Sequence, residues 1–264
     1  MPKRRSRKRK GTGLLASILV LIGLILVAYS QFAHVPLPGI PQLTGLPQLP
    51  GFGNTATPAS QPPAGGPGAR QTPQEETFQG CPPEGDGGDS QLNLLKNRID
   101  EGNYQPLTVD AMLGWTWPPA IERRDMDTWS AEARAEVNQH NGLPVAAEGY
   151  LLEVKSQGAE STNCHATGAD FVDYHIWLAA APDKTRAESV VVEVTPRLRA
   201  KHSQWGISHL RDLVNAATPV RISGWVMLDP EHPDQVGKTR GTIWEIHPVM
   251  KIEYQQNGQW VGLP

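Results

Sequence analysis

The chain has 264 residues and a formal net charge of −3. Seven of its 24 Lys and Arg residues lie within the first ten positions, so the remainder holds 17 cations against 27 Asp and Glu residues. Because general nucleic-acid binding depends on neutralising phosphates with Lys and Arg, the acidic remainder argues against that class of protein.

The N-terminal residues predict a membrane anchor. A basic tail, residues 1–13, precedes an apolar run, residues 14–32, that contains no charged side chain. At about 1.5 Å per residue, a helix of this length spans a hydrocarbon core about 30 Å thick. A cleaved secretory signal is the alternative, although its apolar region is usually only about 7 to 15 residues long. The positive-inside rule then predicts a cytoplasmic N terminus, one pass through the cell membrane and an extracytoplasmic remainder.

Two segments separate the predicted anchor from the main domain. Residues 33–80 are dense in Pro and Gly, which predicts a disordered stalk of extended polyproline and flexible coil. Residues 81–142, here called the leading segment, predict two helices. The first begins at Asp89 or Ser90 and stops at Gly102, and the second is capped by Ser130 and stops at Gly142.

From residue 143 onward the hydrophobic period changes from helical to two, which predicts a β domain over residues 143–264. Gly149, inside the first strand, predicts a bulge or bend. The segments follow the order strand, strand, strand, helix, strand, strand: PVAAEGYLLEVKS, DFVDYHIWLAAA, ESVVVEVTP, HSQWGISHLRDLVNAA, TPVRISGWVMLD and GTIWEIHPVMKIEY.

This order resembles the OB-fold, a five-stranded Greek-key barrel whose strands and loops bind oligonucleotides or oligosaccharides. The resemblance covers about residues 143–254 and is one of layout, because no family motif accompanies it. It implies an antiparallel barrel with one helix between the third and fourth strands. With the two helices of the leading segment and the transmembrane helix at the N terminus, the expected fold class is mainly β (α+β). A small antiparallel sheet covered by one helix is the alternative.

Polar side chains gather on the strand faces opposite the apolar ridges. We expect Glu245 and His247 to share one exposed face of the last strand, with Trp244 and Ile246 on the packed face. Imidazole and carboxylate groups bind divalent metals and perform acid–base chemistry, but a half-exposed strand also alternates polar residues. No fixed metal motif occurs, so no cofactor is predicted and a divalent metal is left open. The candidate ligand or metal face comprises Asp173, His175, Glu193, Glu245 and His247, and a nearby loop adds Asp229, Glu231, His232 and Asp234.

Two tryptophans on predicted strands, Trp177 and Trp225, are candidates for stacking on bases or sugar rings. Packing within the domain is the alternative for both, since large aromatic side chains dominate protein cores.

The two cysteines, Cys81 and Cys164, both fall on the predicted extracytoplasmic side, where a disulfide can persist. The sequence leaves open whether they pair or remain free thiols. Cys164 is followed by His165 in a polar loop between the first two strands, but no orienting third group indicates a cysteine nucleophile. No catalytic residue is therefore predicted.

The third strand and the residues after it, VVVEVTPRLRA, look like the Asp-Thr-Pro-Glu strand of thermonucleases, which are OB barrels that use carboxylates, arginines and calcium. Glu193 is displaced from the matching Asp position, which Val194 occupies, and Arg197 stands where the glutamate belongs. We therefore expect an OB-like domain that binds a ligand, with an envelope protein or an oligosaccharide as its partner and no catalysis. A metal-dependent hydrolase or nuclease is the alternative.

Overall fold

A computed structural model describes residues 76–119, 121 and 126–264, all of which belong to one compact unit spanning residues 62–264. The predicted tail, the anchor and nearly all of the stalk lie outside the described residues. Among the described residues, none of the helices combines the length and the apolar composition that a membrane span requires.

Five strands close into a barrel: β2 (Pro144–Ser156), β3 (Tyr174–Ala179), β4 (Val190–Val194), β5 (Pro219–Leu228) and β6 (Trp244–Gln256). Their order around the barrel is β2-β3-β4-β6-β5, and β5 pairs again with β2. All of these pairings are antiparallel except β4 with β6. This closure confirms the predicted OB-like layout.

Two further strands lie outside the barrel. β1 (Gln105–Thr108) pairs in parallel with β2 and was not predicted, because four residues that include a proline show no periodic pattern. β7 (Gln259–Gly262) forms the C-terminal hairpin with β6 after a turn at Asn257 and Gly258, both of which have positive φ.

The helices are shorter than their sequence patterns indicate. The first ends at Lys96 rather than Gly102, and the residues after it include three buried polar side chains, those of Asn97, Arg98 and Asp100. The helix that Ser130 caps ends at Val137 rather than Gly142. The helices are α1 (Ser90–Lys96), α2 (Val109–Leu113), α3 (Ala131–Val137), α4 (Pro196–Arg199) and α5 (Ile207–Asn215).

The apolar ridges of the barrel strands pack into one core, as their period of two requires. Ile176 and Leu178 of β3 meet Val192 of β4 and Ile246 of β6, and all four are fully buried. Of the bulge or bend predicted at Gly149, the bulge is wrong, because Gly149 pairs in register with Val220 of β5. The register of β2 shifts later, between Leu151 and Glu153, and Gly149 is needed because any Cβ there would collide with the carbonyl of Ala179.

A disulfide joins Cys81, at the start of the leading segment, to Cys164 in the loop between β2 and β3. The two Cα atoms are 5.7 Å apart, although the cysteines are separated by 83 positions in the sequence. Arg197 adds to this attachment, since its guanidinium donates hydrogen bonds to the carbonyls of Cys81 and Pro82. The disulfide and the hydrogen bonds from Arg197 therefore hold the leading segment on the barrel.

Candidate functional site

The strand register brings the predicted polar residues together. His175 of β3 lies opposite Glu193 of β4, and the parallel pairing of β4 with β6 aligns Val191 with Glu245. His247 follows two positions after Glu245, so period two places it on the same face, level with Glu193. Asp173 precedes β3 and completes the group.

Short distances connect these side chains into one cluster. His175 Nε2 lies 2.7 Å from Glu193 Oε1, and Glu193 Oε2 lies 3.3 Å from His247 Nδ1. On the other side of its ring, His247 Nε2 lies 3.8 Å from Asp173 Oδ2. Glu245 Oε2 lies 3.7 Å from His247 Nδ1. One candidate ligand atom from each of Asp173, Glu193 and His247 lies within 4.8 Å of the other two.

The expected exposure of this face is wrong. Asp173, Glu193, Glu245 and His247 are between 0% and 3% exposed. They are covered because α1 packs against β6 and against the turn at Ser161–Asn163, so the leading segment lies over the polar face of the barrel.

The leading segment contacts the barrel and its loops through polar side chains. Asn97 donates a hydrogen bond to the carbonyl of Thr162 at 3.0 Å, and the Thr162 hydroxyl donates to Asn93 at 2.8 Å. Arg197 donates to the side chains of Asn97 and Asn163. Asn163 in turn donates to Asp173 Oδ1 at 3.0 Å. This network orients Asp173 from above the cluster.

A second group of charges extends from Glu245. Arg240 donates to Glu245 Oε1 and to Asp229 Oδ2, each at 2.6 Å, and Asp229 also lies 2.6 Å from His232 Nδ1. Arg240 is 2% exposed and was not predicted as a site residue. It precedes β6 in a loop without periodic pattern, so only its position five residues before Glu245 could have indicated it.

Burial controls the ionisation of the cluster. It raises the pKa of Glu193 well above its ordinary value, with a further contribution from Glu245. Burial also raises the pKa of Glu245, and it lowers the pKa of His247 to about 3, so this imidazole is neutral. Burial opposes ionisation of Asp229, but its hydrogen bond with His232 and the charge of Arg240 hold its pKa well below the ordinary value.

An open cavity of about 370 Å³ lies beside the cluster. Its charged lining includes Lys96 and Glu231, whose Nζ and Oε2 atoms are 3.8 Å apart, together with Glu160. Burial, reinforced by Asp173, raises the pKa of Glu160 to about 7. Sequence patterns missed Lys96 and Glu160, although the position of Glu160 between the first two barrel strands places it in a loop that flanks the ligand groove of OB-folds.

The predicted stacking roles of Trp177 and Trp225 do not fit the structure, because both rings are buried, at 4% and 2% exposed. Arg186 lies over Trp177 at 3.9 Å from the ring centroid, and Arg98 lies over Trp225 at 3.4 Å. Their faces are occupied by the protein's own cations.

Comparison with known proteins assigns no family to this OB-like domain. No family model matches the chain, and no curated protein matches it. It is similar to a protein assigned as an aspartyl-tRNA synthetase of Leishmania major Friedlin, at 9% identity and a TM-score of 0.29, over 61% of this chain and 22% of that one. It is also similar to the aspartyl tRNA synthetase of Entamoeba histolytica, at 11% identity and a TM-score of 0.27, over 63% and 27%. The chain spans less than a third of either protein, and similarities at these scores carry no argument about function.

Proposed function

We propose that this protein is a single-pass, membrane-anchored extracytoplasmic protein whose OB-like domain binds an oligosaccharide bearing positive charge. The cavity beside Glu160 is the observation on which the binding role rests. It is lined by the leading segment around α1, by the loop that follows β2 and by Glu231 in the loop that follows β5. The two loops correspond to those that flank the ligand site of OB-folds.

The chemistry of the cavity supports a polar, cationic ligand. Its volume of about 370 Å³ is within the range of about 300 to 1,000 Å³ that is common for small-ligand sites. The half-buried Ser161 supplies a hydroxyl at the cavity wall, whereas Asn93 and Thr162 line the cavity but hydrogen-bond each other. Among its carboxylates, Asp89 caps α1 and Glu231 faces Lys96, which leaves Glu160 as the acid best placed to meet a ligand's positive charge.

Binding should therefore strengthen as Glu160 ionises. A glucose oligomer bearing a trimethylammonium group keeps its charge at every pH, so its affinity should rise about tenfold between pH 6 and pH 8, as expected for one added charge contact. Isothermal titration calorimetry would measure this, with the neutral parent oligomer as the matched probe. Glu160→Gln should remove the pH dependence.

Two substitutions of alanine by tryptophan test the position of the ligand, one inside the cavity and one outside it as the control. Ala159 is exposed and lines the cavity, so Ala159→Trp should block binding, while Ala180→Trp, at an exposed position outside the cavity lining, should not. Equal binding by both variants, or a pH profile that Glu160→Gln leaves unchanged, would place the ligand elsewhere. If the domain bound neither oligomer but did bind another purified envelope protein, its partner would be a protein rather than an oligosaccharide.

Three features support the proposed location. The basic tail and uncharged apolar run of residues 1–32 favour one orientation across a membrane. The disulfide between Cys81 and Cys164 is of the kind that persists in oxidising compartments outside the cytoplasm. The Pro- and Gly-rich residues 33–80 separate the anchor from the domain.

Reporter fusions test this topology. Alkaline phosphatase fused after Gly80 should be active in intact bacterial cells, because that enzyme requires its own disulfides and so an oxidising compartment. A fluorescent reporter that matures only in the cytoplasm should be active when fused before Met1 and inactive after Gly80. The reverse pattern would show that the proposed orientation is wrong.

The alternative of a metal-dependent hydrolase or nuclease is favoured by the cluster of Asp173, Glu193 and His247. Substrate could reach these side chains, which are at most 3% exposed, only if the leading segment moved. The thermonuclease-like residues also have structural roles here, since Thr195 caps α4 and Arg197 holds the carbonyls beside the disulfide.

A further inference from the structure

The buried cluster contains polar atoms without hydrogen-bond partners among the described residues. Both ring nitrogens of His247 and Oδ2 of Asp173 are in this state, although the two residues are 1% and 0% exposed. The nearest carboxylate oxygens lie 3.3 to 3.8 Å from the ring nitrogens but lack hydrogen-bond geometry. Since a buried, unpaired polar group costs about 1 to 3 kcal/mol, three such atoms in one place require a compensating partner.

The two carboxylates are oriented so that each has one oxygen directed into the cluster. Asp173 is held through Oδ1 by Asn163, which leaves Oδ2 facing His247 Nε2. Glu193 is held through Oε1 by His175, which leaves Oε2 facing His247 Nδ1. Hydrogen bonds to the outer atoms of ligands are the usual means by which proteins position a metal site.

Carboxyl groups outnumber basic side chains around these atoms. Lys96 and Arg240 have carboxyl partners of their own, at Glu231 and at Glu245 with Asp229. Even if His232 is counted as a cation, the carboxyl groups exceed the cations by two. The carboxyl groups are Asp173, Glu193, Glu245, Glu160, Asp229 and Glu231, and the fixed cations are Lys96, Arg197 and Arg240.

We propose that Asp173, Glu193 and His247 bind a divalent transition-metal ion, with zinc preferred. One imidazole and two carboxylates form a ligand set that zinc accepts, and sites of nitrogen and oxygen ligands bind zinc more tightly than manganese or iron. The three ligand atoms, within 4.8 Å of one another, need to close by about 1 Å to reach tetrahedral bonds of about 2.0 to 2.2 Å. The ion would bind Oδ2 of Asp173 and one ring nitrogen of His247, and the other ring nitrogen would then be an N–H that faces a neighbouring carboxylate. This site is separate from the cavity, so it does not depend on oligosaccharide binding.

The test uses the full-length chain, stripped with a chelator and titrated with zinc and then with manganese. We expect one equivalent of zinc to bind, with a rise of several degrees in the midpoint of thermal unfolding, because the ion binds only the native state. Manganese should bind more weakly. Cobalt in place of zinc should give the visible absorption of a low-coordinate site with a nitrogen ligand, which a purely structural carboxyl network would not produce.

Near-isosteric variants locate the site. Asp173→Asn and Glu193→Gln should each weaken zinc binding at least tenfold and reduce the cobalt absorption, whereas the matched control Glu253→Gln, a paired carboxylate further along β6, should change neither. Far-UV circular dichroism of each variant without metal shows whether it has folded. Failure of the unaltered chain to bind zinc stoichiometrically would overturn the proposal and indicate a shared proton in the cluster instead. Full zinc affinity in folded Asp173→Asn would also overturn it.

Discussion

Replacing Cys81 and Cys164 together with serine should lower the free energy of unfolding by about 2 to 5 kcal/mol. The bridge closes a loop of 83 positions, and a long loop that is left open adds conformational freedom mainly to the unfolded chain. Urea denaturation of the oxidised protein and of the double variant would measure the difference.

Reductant provides the control for this prediction. Dithiothreitol should destabilise the unaltered protein by the same amount and leave the double variant unchanged. Hydrogen exchange should also accelerate in α1, because the bridge holds the leading segment over the polar cluster. If reductant changes neither the free energy of unfolding nor hydrogen exchange in α1, the disulfide does not hold the leading segment over the cluster.

Arg240→Met should destabilise the protein by about 3 to 5 kcal/mol, because it leaves the buried carboxylates of Asp229 and Glu245 without their shared cation. The loss should be greater at pH 8 than at pH 5. Burial already raises the pKa of Glu245, and a carboxyl with a raised native pKa destabilises the fold increasingly as pH rises from its unfolded pKa through its native one. Denaturant unfolding at both pH values would measure this.

Two further variants test the cause of this loss. Arg221→Met removes ion pairs with the exposed Glu148 and the more buried Glu253, and because Arg221 itself is partly exposed the loss should be about 1 kcal/mol. Adding Glu245→Gln to Arg240→Met should restore part of the lost stability, since it removes one uncompensated charge. An equal loss in Arg221→Met and Arg240→Met would contradict a special role for the buried pairs.

The order of strands and helix along the chain was predictable from the sequence. Valines at every second position of β4 and the alternation of β3 identify strands without tertiary information, because a strand directs successive side chains to opposite faces. The same rule predicted that Glu245 and His247 share one strand face, with Trp244 and Ile246 on the other, and the structure confirms this arrangement. The order of strands and helix was then sufficient to recognise the OB-like layout.

The leading segment could not be predicted in the same way. Leu92 and Leu95 lie near helical spacing in α1, yet the segment also buries Asn93, Lys96 and Asn97, which no hydrophobic pattern indicates. Its partner surface is polar, so hydrogen bonds and charge pairing determine how it packs. No single-segment pattern reports such complementarity, and β1, with four residues, is too short to show a period.

The sequence by itself therefore determined which residues share a strand face, and the tertiary structure determined whether that face meets water. The pattern makes the face of His247 polar, and the tertiary structure buries it. The segment that covers it lies more than 150 positions earlier in the chain and is joined to the barrel through Cys81. Side-chain alternation is local and follows from backbone geometry. Burial depends on every segment that packs nearby, so only the complete fold reveals the cluster as an enclosed site.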